Sequence, residues 1–367
     1  MSVTPIGNPL DEAIRFAAAR PVMLFLGFFL LFPLIAPYNA LATQVLIFGL
    51  FALSFNILYS HAGLFSLGQA AFYGLGAYGA GLILPSAYGT GAAIARFKVD
   101  SLWISLATGV LLSAVGALVI GLLCLRRRGI YFSMLTLAFS QLLYFTAFQA
   151  SSLTGGHSGL RGISGFAFVL GYIAINLEDP ITFYYFTLTF VGLSVIAMQR
   201  LLSSPFGAVI RAIRDNEIRA AACGHNVKAL KLLAFVWSGS FAGLAGALSA
   251  LHLRIVSTNV FHWSTSAEVV MMTLLGGAGS FFGPFVGAVL LLVLQEEVSR
   301  VTEYWSLIIG AILMLCVRYF PEGVCGWLQE RLATIRSGAR SPSALQPHHR
   351  SEAATPSRLV ELGREVD

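Results

Sequence analysis

Apolar positions along this chain come in long blocks rather than in alternation. In windows of about 19 residues, blocks near 21–38, 41–59, 63–84, 101–125, 130–150, 181–202, 229–252 and 304–320 stand out. Each is long enough to cross a hydrocarbon layer of roughly 30 Å as a helix. Eight full spans are therefore expected, in an all-α, polytopic helical membrane protein. A further apolar region, 267–298, is cut by Gly276, Gly277, Gly279, Gly283 and Pro284. Broken backbone is tolerated at membrane depth only where protein or water satisfies the freed polar groups. This region is expected to be a re-entrant pair of half-helices.

Composition agrees with the blocks: 57% of residues are apolar and only 11% charged, a balance no soluble domain requires. Positive charge sets the expected topology, because loops on the cytoplasmic side collect Lys and Arg. With a re-entrant 267–298 and both termini inside, 17 basic residues fall inside and five outside, whereas a full crossing gives 11 against 11. The organisation expected is a cytoplasmic N-terminal tail, 1–20, a transmembrane domain, 21–325, and a disordered basic tail, 326–367, where Ser, Pro and Arg replace the apolar periodicity. Cys124, Cys223, Cys316 and Cys325 show no metal-binding or disulfide spacing. The pair His348 and His349 has no third ligand nearby.

One charged island interrupts the apolar pattern at 203–228, and nearly all of it lies in SPFGAVIRAIRDNEIRAAACGHNVKALK, 204–231. Phe206, Val209, Ile210 and Ile213 fall at offsets of zero, three, four and seven, which makes one helical stripe. Arg211 and Arg214 are expected to point away from it. Asp215 and Asn216 suit an N-cap, Glu217 the following first turn, and Gly224 a C-terminal cap. Two short helices on the inner face are expected. Periodicity alone leaves two roles open: resting on anionic headgroups of the membrane lipid, or docking a partner.

Two glycine-rich stretches are candidates for a translocation path. In 63–81, glycines permit close helix approach, and Ser66, Gly68 and Gln69 bring polar groups into the membrane. In the broken region, Gly276, Gly277, Gly279 and Pro284 mark a discontinuity that exposes backbone dipoles. Glu268 is expected to complement the dipole at the opening of the first half-helix. The external loop from Ser151 to Pro180 carries Thr154, Gly155, Gly156 and Gly159, which fit either a docking face or a capped turn. No phosphate-cradling Gly-Lys-Ser/Thr loop and no nucleophile–base set is present, and the lysines are Lys98, Lys228 and Lys231. No enzyme activity, cofactor, metal or nucleic acid is expected on this chain.

The island with its following span resembles the cytoplasmic loop and next helix of branched-chain amino acid ABC-transporter permeases, specifically the M-type subunit. Three more stretches agree, in the same order: HAGLFSLGQAAFYGLGAYGAG at 61–81; RRRGIYFSMLTLAFSQLLYF at 126–145 with LTGGHSGLRGI at 153–163; and EVVMMTLLGGAGSFFGPFVGA at 268–288. The resemblance covers roughly residues 40–323. It implies an importer for leucine, isoleucine and valine in a bacterial inner membrane, and partners: a second, H-type permease subunit, two ATP-binding subunits and a periplasmic or extracytoplasmic substrate-binding protein. It also implies that Phe206, Arg211, Arg214, Asp215, Asn216, Glu217 and Gly224 belong to a loop that couples to the ATPase. The same group includes permeases for urea and short amides. An ion-coupled secondary transporter, the rival class, would need ionisable residues within the membrane, and this sequence has almost none between span ends.

Overall fold

The computed structural model describes residues 21–35, 38–83, 86–88, 101–163, 167–170, 173–176, 179–319 and 323–327. The expected tail 1–20 lies outside the described residues, as does the expected tail 326–367 except for Gly326 and Trp327, which end a short helix, 323–327. Twelve helices of six or more residues can be named among them. They are α1 (Pro21–Ile35), α2 (Asn39–Asn56), α3 (Gln69–Ile83), α4 (Leu102–Cys124), α5 (Ile130–Gln149), α6 (Pro180–Ser203), α7 (Pro205–Asp215), α8 (Glu217–Ala222), α9 (Val227–Leu253), α10 (Trp263–Gly276), α11 (Gly283–Val301) and α12 (Trp305–Tyr319). A π-helical turn, Ile57–His61, prolongs α2.

The all-α architecture is as expected, and the spans differ in length from the hydropathy blocks. Five helices are long and apolar enough to cross a membrane: α2 with its π turn, α4, α5, α6 and α9. The blocks at 21–38, 63–84 and 304–320 instead give helices of 15 residues each, about 22 Å at 1.5 Å per residue. The block at 63–84 is the clearest correction. Residues 63–68 are not helical, so Ser66 and Gly68 precede α3 rather than lying in it.

Around α2 the bundle is tightest. Nine-tenths of its apolar window is buried (89%), against 33% for α4 and 28% for α5, whose outer faces carry Leu111, Leu122, Leu142 and Phe145 as lipid-facing side chains would. Close approach of α3, α4 and α9 depends on glycine. A Cβ at Gly76 would collide with the Gly243 carbonyl, and one at Gly246 with the Tyr73 carbonyl.

The region 267–298 folds as a helical hairpin, with its break at 277–282 and its helices extending further than expected, from Trp263 and to Val301. Gly287 lies against the Met272 carbonyl and Gly276 against that of Gly283, which makes α10 and α11 antiparallel. Pro284 does not interrupt a helix; it stands in the first turn of α11, where its missing N–H is no loss. Glu268 is the sixth residue of α10 rather than its opening, and His262 is the N-cap instead, accepting from the Ser264 N–H at 3.4 Å.

At one end of α2, Arg300 reaches the Tyr38 hydroxyl at 3.4 Å. At the other end, the Asn56 side chain donates to the Ser280 carbonyl in the hairpin tip at 3.4 Å. Short strands add a small β element not read from the sequence: β1 (Ser86–Tyr88), β2 (Leu160–Ile163), β3 (Ala167–Leu170), β4 (Ile173–Asn176) and β5 (Ile255–Val256). β2 pairs antiparallel with both β1 and β5, placing Leu160 opposite Val256, while β3 and β4 form a separate hairpin.

Candidate functional site

Polar groups converge where helices start inside the bundle. Serine hydroxyls surrounded by apolar side chains must find acceptors, and main-chain carbonyls supply them. Ser238 on α9 donates to the Ser54 carbonyl of α2 at 2.7 Å and accepts from the Gln69 side-chain nitrogen at 2.8 Å. The Ser66 hydroxyl accepts from the Gly68 N–H at 3.4 Å, and the Ser266 hydroxyl of α10 accepts from the Ala70 N–H at 2.9 Å. Ser113 of α4 donates to the Gly239 carbonyl at 2.7 Å, with the Phe72 carbonyl as a second acceptor within reach at 3.0 Å. Ser54, Ser66, Gln69, Ser238 and Ser266 are all buried. The junction of α2, α3, α9 and α10 is thus a polar seam within an apolar bundle.

Of the residues expected on the path, the structure brings Ser66, Gly68 and Gln69 to this seam. The hairpin residues Gly276, Gly277, Gly279 and Pro284 gather at a separate place, the tip that meets Asn56. There Gly276 is in backbone contact with Gly283, while a Cβ at Gly279 would meet nothing. Asn56 and Ser266 were not singled out by sequence; Asn56 stands with Ser54 as the polar residues of the apolar run 45–58, a signal that could have found it, whereas Ser266 sits in the polar stretch 264–266 and carries no such signal.

The charged island forms as expected, for local reasons. Pro205 disfavours helical geometry at Ser204, which sits at φ −75° and ψ 168°, so α6 stops and α7 begins. Asn216 caps α8 by accepting from the Arg219 N–H at 2.9 Å. Gly224, at φ +86°, closes it, its N–H donating to the Ala221 carbonyl at 3.0 Å. The predicted stripe is the buried face: Ile210 and Ile213 pack with Ala62, Ala220 and Ala234, flanked by Phe206 and Val209.

Arg211 and Arg214 are exposed and off the stripe, as expected, but each is also tied back to the chain: Arg211 donates to the Leu202 carbonyl at 3.1 Å, and Arg214 donates to the Ser60 carbonyl of the π turn. Their long stems let the guanidinium groups turn back on the chain. Glu217 bridges Lys231 at 2.9 Å and Arg128 at 3.5 Å, joining the island to α9 and to the turn after α4. Asp215, Arg219 and, above all, Ile218 are left facing outward, Ile218 at 81% exposure. Ile218 lies off the stripe, and an apolar residue off the stripe of an amphipathic pair was the available signal.

The external loop folds onto β5. Thr154 donates to the Ala150 carbonyl at 2.9 Å, Gly155 and Gly156 both have positive φ, and Gly159, at φ +65°, lies against the Val256 backbone, where a side chain would clash. Among the described residues no three His, Cys, Asp or Glu side chains come together as a metal site would require.

Residues 38–317 match the family model described as branched-chain amino acid transport system, permease component. The high-affinity branched-chain amino acid transport system permease protein LivM of Escherichia coli is 29% identical over 83% of this chain and 73% of its own length. Its Salmonella typhimurium counterpart is 30% identical over 81% and 72%. A ribose import permease of Haemophilus influenzae is 26% identical over 40% of the chain and 45% of its own. No solved structure matches. The matched span covers most of the chain, and the chain belongs to the family of branched-chain amino acid transport system permease components.

Proposed function

We propose that this chain forms one half of the translocation path of an ABC importer for leucine, isoleucine and valine in the inner membrane. ATP is hydrolysed on two partner subunits, a second permease chain completes the path, and an extracytoplasmic binding protein delivers substrate. The polar seam at Ser66, Gly68 and Gln69 and the hairpin tip at Gly276–Pro284 lie along the path. The island docks in the ATPase through Asp215, Ile218 and Arg219, while Arg211 and Arg214 hold it in shape.

The observation that carries this reading is a mechanical one. The island is fastened to the π turn of α2 through Arg214 and Ser60, and four residues earlier on the same helix Asn56 holds the hairpin tip. A push on the island therefore acts on the helix that supports both the seam and the tip. Substrate identity is supported by the names of the Escherichia coli and Salmonella typhimurium relatives.

The test is reconstitution in liposomes with the candidate partner subunits and binding protein. L-leucine uptake is expected to require ATP, the ATP-binding subunits and the binding protein together. Uptake by the isolated chain without ATP would contradict the proposal.

A further inference from the structure

We propose that the side-chain carbonyl of Gln69 accepts an N–H donor of the passing substrate, an ammonium or amide group. This rests on the reading of the chain as a permease. The orientation of the Gln69 amide is fixed by chemistry. A serine hydroxyl has one proton, and Ser238 commits it to the Ser54 carbonyl at 2.7 Å. Ser238 can then only accept from Gln69, at 2.8 Å, so the amide nitrogen faces Ser238 and the oxygen faces away. Gln69 is 1% exposed, and its Oε1 has no hydrogen-bond partner among the described residues. A buried carbonyl left without a donor is unfavourable, and replacing it with an apolar group would remove the penalty.

The unmet need at this place is for a donor, not for an anion. The Ala70 N–H, which a substrate carboxylate would otherwise seek at the start of α3, is already taken by Ser266 at 2.9 Å. Asn56 repeats the pattern at the hairpin tip. Its nitrogen faces the Ser280 carbonyl, which can only accept, and its Oδ1 is buried without a partner. Both unmet groups are carbonyl oxygens, complementary to N–H. Gln69 is closed in by buried serines in this conformation, so substrate reaches it when α2, α3 and α9 separate, as an alternating-access path requires.

Gln69→Met and Ser238→Ala separate this role from a structural one. Both remove the Gln69–Ser238 hydrogen bond, and only the first removes the carbonyl acceptor. The full transporter, in liposomes with its binding protein, is assayed with L-leucine, L-valine, urea, acetamide and D-ribose at saturating concentration. Gln69→Met is expected to lower substrate moved per ATP hydrolysed on the order of ten-fold. Ser238→Ala, which keeps the carbonyl but no longer holds its orientation, is expected to lower it by about two- to three-fold, clearly less than Gln69→Met.

Equal losses in the two variants would overturn the proposal, leaving Gln69 a partner of Ser238 only. So would wild-type coupling in Gln69→Met, which would mean that water alone satisfies the carbonyl. Should Gln69→Met fail to accumulate, Gln69→Asn, which withdraws the carbonyl but keeps the amide, takes its place with the same expected loss. A wild type that moves urea or acetamide but not the amino acids contradicts the branched-chain substrate alone, and the variants are then read on that substrate. A wild type that moves only D-ribose overturns both.

Discussion

The bundle around α2 and the island from Pro205 to Gly224 are held together in opposite ways. In the bundle, side chains are almost all apolar, and fit is set by backbone against backbone, as where Gly76 meets Gly243 and Gly246 meets Tyr73. The island buries only a narrow stripe, centred on Ile210 and Ile213. Its other fastenings are polar: the Asn216 cap, the Glu217 bridges and two arginines on carbonyl oxygens. The difference follows from the solvent. Apolar side chains gain little by leaving lipid for protein, so contact geometry decides association in the bundle, whereas water beside the island makes burial of a few apolar side chains effective. The last turn of α2 belongs to both regions. It ends in the π turn that receives Arg214, and Gly63 just beyond it lies so close to the Arg214 side chain that a Cβ there would sit 3.0 Å away.

The largest effect that can break this contrast is expected at Gly246. Gly246→Val drives a branched side chain into the Tyr73 carbonyl, an overpacking cost of about 3 kcal/mol or more. The expected outcome is loss of membrane-inserted protein on a quantitative blot. Gly279→Ala, where a Cβ meets nothing, should accumulate as wild type. Equal accumulation of the two would show that glycine contact does not hold the bundle.

Next in size is Ile213→Ala, which removes a 2% exposed side chain from the island's stripe and should cost about 2–4 kcal/mol there. Because the stripe is separate from the bundle core, insertion should persist while limited proteolysis at 205–224 accelerates. Asn216→Ala should cost about 1 kcal/mol by uncapping α8, visible as a smaller rise in the same cleavage rate.

Smallest is a difference in thiol chemistry. Cys223 in the island is exposed, while burial raises the Cys325 thiol above the ordinary cysteine value, only partly offset by Ser280. Less Cys325 is therefore thiolate at neutral pH, and thiolate is the reactive form. Maleimide should label Cys223 first, and labelling of Cys325 should gain on it as pH rises. Faster labelling of Cys325 at neutral pH would contradict its burial.

What the sequence made legible, and what it hid, divides along the same line. In the island the stripe, the Asn216 cap and the closing Gly224 were readable, because they are local signals with local causes. In the bundle, hydropathy located the helices but not their breaks: GLFSLG at 63–68 is apolar enough to read as the start of a span, although α3 starts only at Gln69. The start of α10 at Trp263 was missed for the same reason, since its N-cap is a histidine rather than Ser, Thr, Asp or Asn. The backward reach of Arg211 and Arg214 was hidden because their acceptors are carbonyls, which every residue has. The bridge from Glu217 to Lys231 joins residues 14 apart, across a turn whose path only the fold defines.

The central claim, that the island is a docking lever rather than a membrane-resting helix, is tested most directly at Ile218. Its side chain is 81% exposed on α8, and it takes no part in the stripe that anchors the island. Ile218→Asp should therefore leave insertion and folding unchanged while placing a charge where an apolar contact is needed. The measurement is the amount of ATP-binding subunit that co-purifies with the variant, normalised to membrane-inserted chain. A fall of at least ten-fold, about 1.4 kcal/mol of docking energy, is the predicted result, and co-purification at the wild-type level would contradict it.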